Sequence, residues 1–176
     1  KEEIVLKNHN LKLEYSKNLL SIIGEGEIKL EENFNKINYT FKNNNQGFNI
    51  QSNLTLDAIS LKKQDFMGTF FPSANENINF KNQKLNIKYN NKKLSLSGDG
   101  KIKVDDEFES IKYFISTKDK KINFDLDLNL DKTNFEVNFF KYKKNNKINT
   151  QLKVDGHYEL GKNLSLNNLS ILENKN

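Results

Sequence analysis

The 176-residue chain contains no cysteine, no arginine and a single proline, Pro72, and each absence removes a class of protein. Without cysteine there is no disulfide framework, no thiolate nucleophile and no cysteine-ligated zinc. Without arginine, a nucleic-acid surface lacks the planar fork that grips phosphate at two points. All 28 basic residues are lysine and they alternate with Asp and Glu, so the net charge of +5 describes a solvated outer face rather than a basic stripe. The wealth of Lys, Asn and Ile is what an AT-rich genome imposes on exposed positions, and it identifies no partner. No run approaches the roughly 18 apolar residues of a membrane span, and no charged start followed by an apolar core marks a signal peptide. Any targeting or anchoring element is therefore expected outside these residues.

What the chain does contain is a copy of itself. Residues Ile4 to Asp57 reappear without a gap as Ile78 to Asp131, with about 18 of 54 paired positions identical. The identities include Tyr15/Tyr89, Gly24/Gly98, Gly26/Gly100, Ile28/Ile102, Ile37/Ile111, Tyr39/Tyr113 and Asp57/Asp131. Two copies of one supersecondary unit bury a face that neither buries alone, which is the logic of extended repeat proteins. The reading divides the chain into a first repeat over residues 1–77, with an irregular junction at 58–77, a second repeat over 78–163, and the start of a third at 164–176. A chain that opens on Lys and closes on a renewed Leu-x-Leu pattern is expected to be a stretch of a longer array.

The hydrophobic period is two almost everywhere, the mark of strands with one buried face. Leu11, Leu13 and Tyr15 form one such set, followed by Leu20 to Leu30, Ile37 to Phe41 and Phe48 to Leu56. The second copy repeats the order, and two further strands are expected at Phe135, Val137, Phe139 and from Ile148 to Tyr158. Short, polar connections permit only antiparallel hairpins. The junction, with Ile59, Phe66, Met67, Phe70 and Phe71, reads as a short helix or an apolar loop plugging one end.

No helix is available to cover about ten such strands, so the sheet must close on itself or form an open trough. The expected fold is all-β: a curved antiparallel meander forming an elongated open groove from two tandem copies. Leaving a few hundred Å² of apolar floor in water forgoes on the order of 10 kcal/mol. An open trough therefore implies an apolar guest, and a long one suits an acyl chain.

Gly24-Glu25-Gly26 and Gly98-Asp99-Gly100 lack the third glycine and the strand-to-helix context of a phosphate loop. In register with Leu20, Ile22 and Ile28, they face the apolar side, either to bend the strand or to leave width for a sliding chain. His9 and His157 have no counterpart in the other copy and read as surface residues. Asp125, Asp127 and Asp131 share the outer side of a strand and read as solvated rather than calcium-binding, because Gln51 and Asn53 stand at the equivalents of the first two. The acidic pairs Glu31-Glu32 and Asp105-Asp106 read as strand terminators.

The Leu-x-Ile-x-Gly-x-Gly-x-Ile-x-Leu strand of Leu20 to Leu30, its copy from Leu94 to Val104, the Ile37-x-Tyr39 and Ile111-x-Tyr113 strands, and the endings at Asp57 and Asp131 resemble the AsmA-like family, with its TamB-like and YhdP-like envelope proteins. The resemblance implies repeating β-groove units in a periplasmic protein, anchored to the inner membrane by a segment outside these residues and conducting phospholipid toward the outer membrane. It implies no catalytic residues and no cofactor.

The first functional expectation is thus a non-enzymatic groove segment whose partners are phospholipid acyl chains and neighbouring repeats. Its floor is formed by Leu20, Ile22, Gly24, Gly26, Ile28, Phe48, Ile50 and Leu54, continued by Leu94, Leu96, Gly98, Gly100, Ile102, Ile122, Phe124 and Leu126. The alternative is a structural or adhesive β-repeat with a dry, closed core. A single-stranded nucleic-acid binder is the weakest, since it needs aromatics on the lysine face, whereas Tyr15, Tyr39, Tyr89 and Tyr113 are in register with Leu and Ile.

Overall fold

The computed structural model describes residues 5–44, 47–65, 67–90, 92–118, 120–144, 148–159 and 164–174. Ile4, at the head of the repeat, and Phe66, in the junction, lie outside the described residues. The first copy folds into β1 (Leu6–Ser16), β2 (Leu19–Leu30), β3 (Asn33–Asn44) and β4 (Gly47–Lys62), and the short helix α1 (Met67–Phe70) follows. The second copy gives β5 (Asn77–Asn90), β6 (Lys93–Lys103), β7 (Phe108–Lys118) and β8 (Lys121–Leu130). Then come the two-residue strands β9 (Glu136–Val137) and β10 (Tyr142–Lys143), and finally β11 (Asn149–Glu159) and β12 (Leu164–Asn174).

Ten strands form one antiparallel sheet in the order β1-β2-β3-β4-β5-β6-β7-β8-β11-β12, and its edges β1 and β12 are not joined. The sheet is an open meander, because each of its strands pairs with the sheet strand that follows it in the chain. Nine spacings of about 4.8 Å make it roughly 43 Å across the strands. The alternating residues line up in rows: Leu13, Ile22, Phe41, Ile50, Tyr89 and Leu94 are successive cross-strand partners. The seam between β4 and β5 keeps one register from Asn49↔Asn90 to Lys62↔Asn77, so the copies share one continuous face.

Surface area decides between an open sheet and a sealed core. The protein exposes 12305 Å², whereas a compact protein of its 20.5 kDa exposes about 8,900 Å². The excess belongs to a sheet that leaves much of one face uncovered. The real core is small and sits at one end of that face. There Ile78, Ile102, Val104, Ile111, Leu128, Leu130 and Leu152 meet Phe135 and Val137, with Met67, Phe70, Phe71 and Ala74 packed against them.

Two excursions make this cap. The first is shorter than expected, because β4 runs on to Lys62 and only residues 63–76 leave the sheet. It is a short helix with flanking turns that reaches the second copy, where the Asn75 N–H donates to Val104 O at 2.8 Å. The second corrects an expectation: Phe135, Val137 and Phe139 do not form a sheet strand. Phe135 and Val137 are buried, whereas Phe139 sits in a 3-10 turn, Asn138–Phe140, and the ribbon β9–β10 folds over the sheet instead of joining it. Alternation alone cannot distinguish a strand within a sheet from a short ribbon lying on one.

Candidate functional site

The uncovered part of the apolar face is built from β2 to β8, β11 and β12, with β1 at its edge. Leu20, Ile22, Ile28, Ile50, Leu96, Ile122, Phe124 and Leu126 are half-buried, screened by neighbours within the sheet. Phe48 and Leu94 are each 39% exposed, and at the edges Leu13 and Leu166 are 64% and 44% exposed. Two residues expected on this floor are largely closed off. Ile102 is 4% exposed and part of the capped core, and Leu54 is 8% exposed, so neither offers accessible surface to a guest.

The paired glycines do not leave a bare patch. A Cβ on Gly24 would run into the ring of Tyr39, and one on Gly98 into Tyr113. Gly26 is covered by the imidazole of His9, and Gly100 by the amide of Gln83. The glycines thus seat larger side chains that cross the floor. Without Cβ atoms below them, Tyr39 and Tyr113 lie across the neighbouring strand, where only glycine permits so close an approach.

His9 reaches this place through a bulge. Asn8 adopts a left-handed backbone with φ 54°, and its counterpart Asn82 does the same with φ 52°. The pairing register shifts there in both copies, between Lys7 and Asn10 and between Lys81 and Lys84. Asn tolerates this conformation, and one extra residue turns the next side chain onto the apolar face. His9 is therefore half-buried rather than a surface residue, with Nε2 3.0 Å from Glu27 O and Nδ1 3.4 Å from the Tyr39 hydroxyl. In the second copy Gln83 does the same: its Nε2 donates to Lys101 O at 2.8 Å, and the Tyr113 hydroxyl donates to its Oε1 at 3.0 Å. Burial pushes the Tyr113 hydroxyl up to about 12, with the charge of Asp99 adding to it. The gap-free repeat sets His9 opposite Gln83, but the unlike residue types hid a shared role, since both offer a planar polar head to the same backbone and tyrosine.

A second polar group anchors the cap. Glu109, 5% exposed, accepts the backbone N–H groups of Asp131, Lys132 and Thr133 on a single oxygen at 2.8–3.0 Å. Asp105 accepts the Thr133 hydroxyl at 3.1 Å, so it ties down the cap as well as ending a strand. Lys144, 2% exposed, donates to Asp131 O at 2.7 Å, and burial holds its ammonium below the usual lysine range against the pull of Glu109 and Asp131. The sequence signal was the replacement of Asn35 by Glu109 in the second copy.

The outer face is polar. Asp127 accepts from Gln151 at 2.9 Å and pairs with Lys153 at 3.6 Å, and Asp125 is exposed. Asp131 closes the strand and accepts from Asn149 at 3.1 Å. Among the described residues no three His, Asp or Glu groups come together as a metal site. All four tyrosines named above lie on the apolar side by register. Phe34 and Phe108 do sit outside, each beneath a lysine, Lys7 at 5.3 Å and Lys81 at 5.8 Å. Lys103 also lies over Phe108, at 6.0 Å, but the two rings are far apart in the sheet, near strand ends, and do not form a stacking track. No helix among the described residues is long and apolar enough to cross a membrane. Comparison with protein-family models, with curated proteins and with solved structures finds no match.

Proposed function

We propose that the protein is a non-enzymatic groove segment of an intermembrane phospholipid conduit, as the resemblance to the AsmA-like family implies, working in a Gram-negative periplasm with its anchor outside these residues. Acyl chains lie along the uncovered rows that pass through Ile22, Leu96 and Phe124, and head groups remain at the open side. One observation carries this reading: an apolar face that spans ten strands and is capped only at one end. Exposing a few hundred Å² of such a face costs on the order of 10 kcal/mol relative to covering it, and a mobile apolar guest supplies that cover.

Photocrosslinking residues placed in cells test the reading. At Leu13, Leu96 and Phe124 they capture phospholipid, and at Glu14, Asp99 and Asp125, on the opposite face, they do not. Equal labelling of the two faces removes the proposal. A structural or adhesive repeat is the competing reading, favoured by the dry cap core. It predicts that native mass spectrometry of the gently purified protein finds no bound lipid and no uptake of added phospholipid.

A further inference from the structure

The two excursions share a sequence, Phe-x-x-x-Phe-Phe, which runs from Phe66 to Phe71 in the first and from Phe135 to Phe140 in the second. In the described part of the first, Phe70 and Phe71 rest on Phe135 of the second, with ring centroids 6.4 and 5.3 Å apart. The closing aromatic pair of one excursion therefore docks on the opening aromatic of the next, and Phe135 is 2% exposed as a result.

The closing pair of the second excursion has the opposite surroundings. Phe139 and Phe140 are 88% and 64% exposed and meet each other edge to face at 5.0 Å. They are held in place. The 3-10 turn ends at Lys141, whose backbone is left-handed with φ 53° and whose N–H donates to Asn138 O at 3.1 Å. Val137 and Lys144, either side of the turn, are buried. A fixed, solvent-facing pair of large aromatics is unusual for a surface without a partner.

We propose that Phe139 and Phe140 are a docking knob for the opening aromatic of a further Phe-x-x-x-Phe-Phe excursion, supplied by a neighbouring repeat unit. The caps then form an aromatic ladder along one rim of the sheet, each pair seated on the next unit's phenylalanine. A second folded copy of this chain cannot supply that group, because its own Phe135 is already buried. The inference depends on the repeated cap alone, whatever the floor carries.

Fluorophenylalanine placed at position 139 or 140 reports the contact by fluorine NMR. The probe is a backbone-cyclised peptide of residues 134–144, whose ends the ribbon already brings together through the Lys144 N–H to Phe135 O bond of 2.8 Å. Both resonances should shift on titration with this peptide, roughly tenfold more weakly with its Phe135→Ala form. A fluorophenylalanine at exposed position 48 should stay still. No shift at millimolar peptide, or equal shifts with the alanine form, overturns the proposal. So does a response to phosphatidylglycerol vesicles but not to peptide, which would make the pair a membrane wedge beside Lys141 and Lys143.

Discussion

Ile28 and Ile102, Leu30 and Val104, and Ile37 and Ile111 hold equivalent places in the two copies. The members from the first copy are half-buried, whereas those from the second are 4%, 0% and 6% exposed. Strand, register and bulge are the same on both sides, so side-chain character does not explain the difference. Cover explains it. Both excursions settle on the second copy, the first through Phe70, Phe71 and Asn75, the second through Phe135 and Val137. One alternating pattern thus serves as core where something lies above it and as floor where nothing does.

The most forceful way to break the comparison is to remove the cap's centre. Phe135→Ala should cost about 3–5 kcal/mol in urea unfolding and leave Ile102 and Ile111 as accessible as Ile28 and Ile37. A loss below about 1 kcal/mol would mean that the cap adds nothing to the second copy. Next in size is the anchor. Glu109→Ala removes the shared acceptor of three backbone N–H groups, that of buried Thr133 among them, and should cost about 3 kcal/mol. Asn35→Ala at the equivalent place removes one acceptor, for the Asp57 N–H at 3.3 Å, and should cost about 1 kcal/mol. Equal losses would show that the glutamate does not set the copies apart.

A third effect, smaller than the losses at Phe135 and Glu109, appears in alkali. An unfolded tyrosine ionises near pH 10, whereas Tyr113 holds its proton to about 12. Between those values the folded state binds more protons, so stability falls as pH rises through the window. The drop is about 2 kcal/mol, less than the full two-unit shift because the ring is only partly enclosed. Tyr113→Phe should flatten this slope when unfolding is followed from pH 9 to 12. An unchanged slope would detach the ring from the glycine-lined seat.

Much of the fold was legible in advance because a period of two is a local property. Leu20, Ile22 and Ile28, or Leu94 and Leu96, could be placed on one face without knowing their neighbours. The bulge at Asn8 and Asn82 was not legible, since a one-residue slip leaves no trace in composition, and it carried His9 from the expected surface to the floor. Phe135, Val137 and Phe139 alternate as a sheet strand does, yet the first two are buried where the ribbon meets the sheet and the third faces water. The glycine pairs were placed on the correct face, but what they do there depended on Tyr39 and Tyr113 reaching over from the next strand. Asp105 read as a strand-end acid and Glu109 carried no reading until the turn at Asp131 to Thr133 was seen to fold onto them.

The sequence by itself determined the duplication, the antiparallel meander and the side of its hairpin strands that is apolar, because hairpin length and alternation act between close neighbours in the chain. Only the tertiary structure decided which stretch of that apolar side is sealed and which stays open. Burial is a property of what lies above a residue, and here that cover arrives from excursions dozens of residues away, held by a buried carboxylate and an aromatic contact that no local pattern specifies.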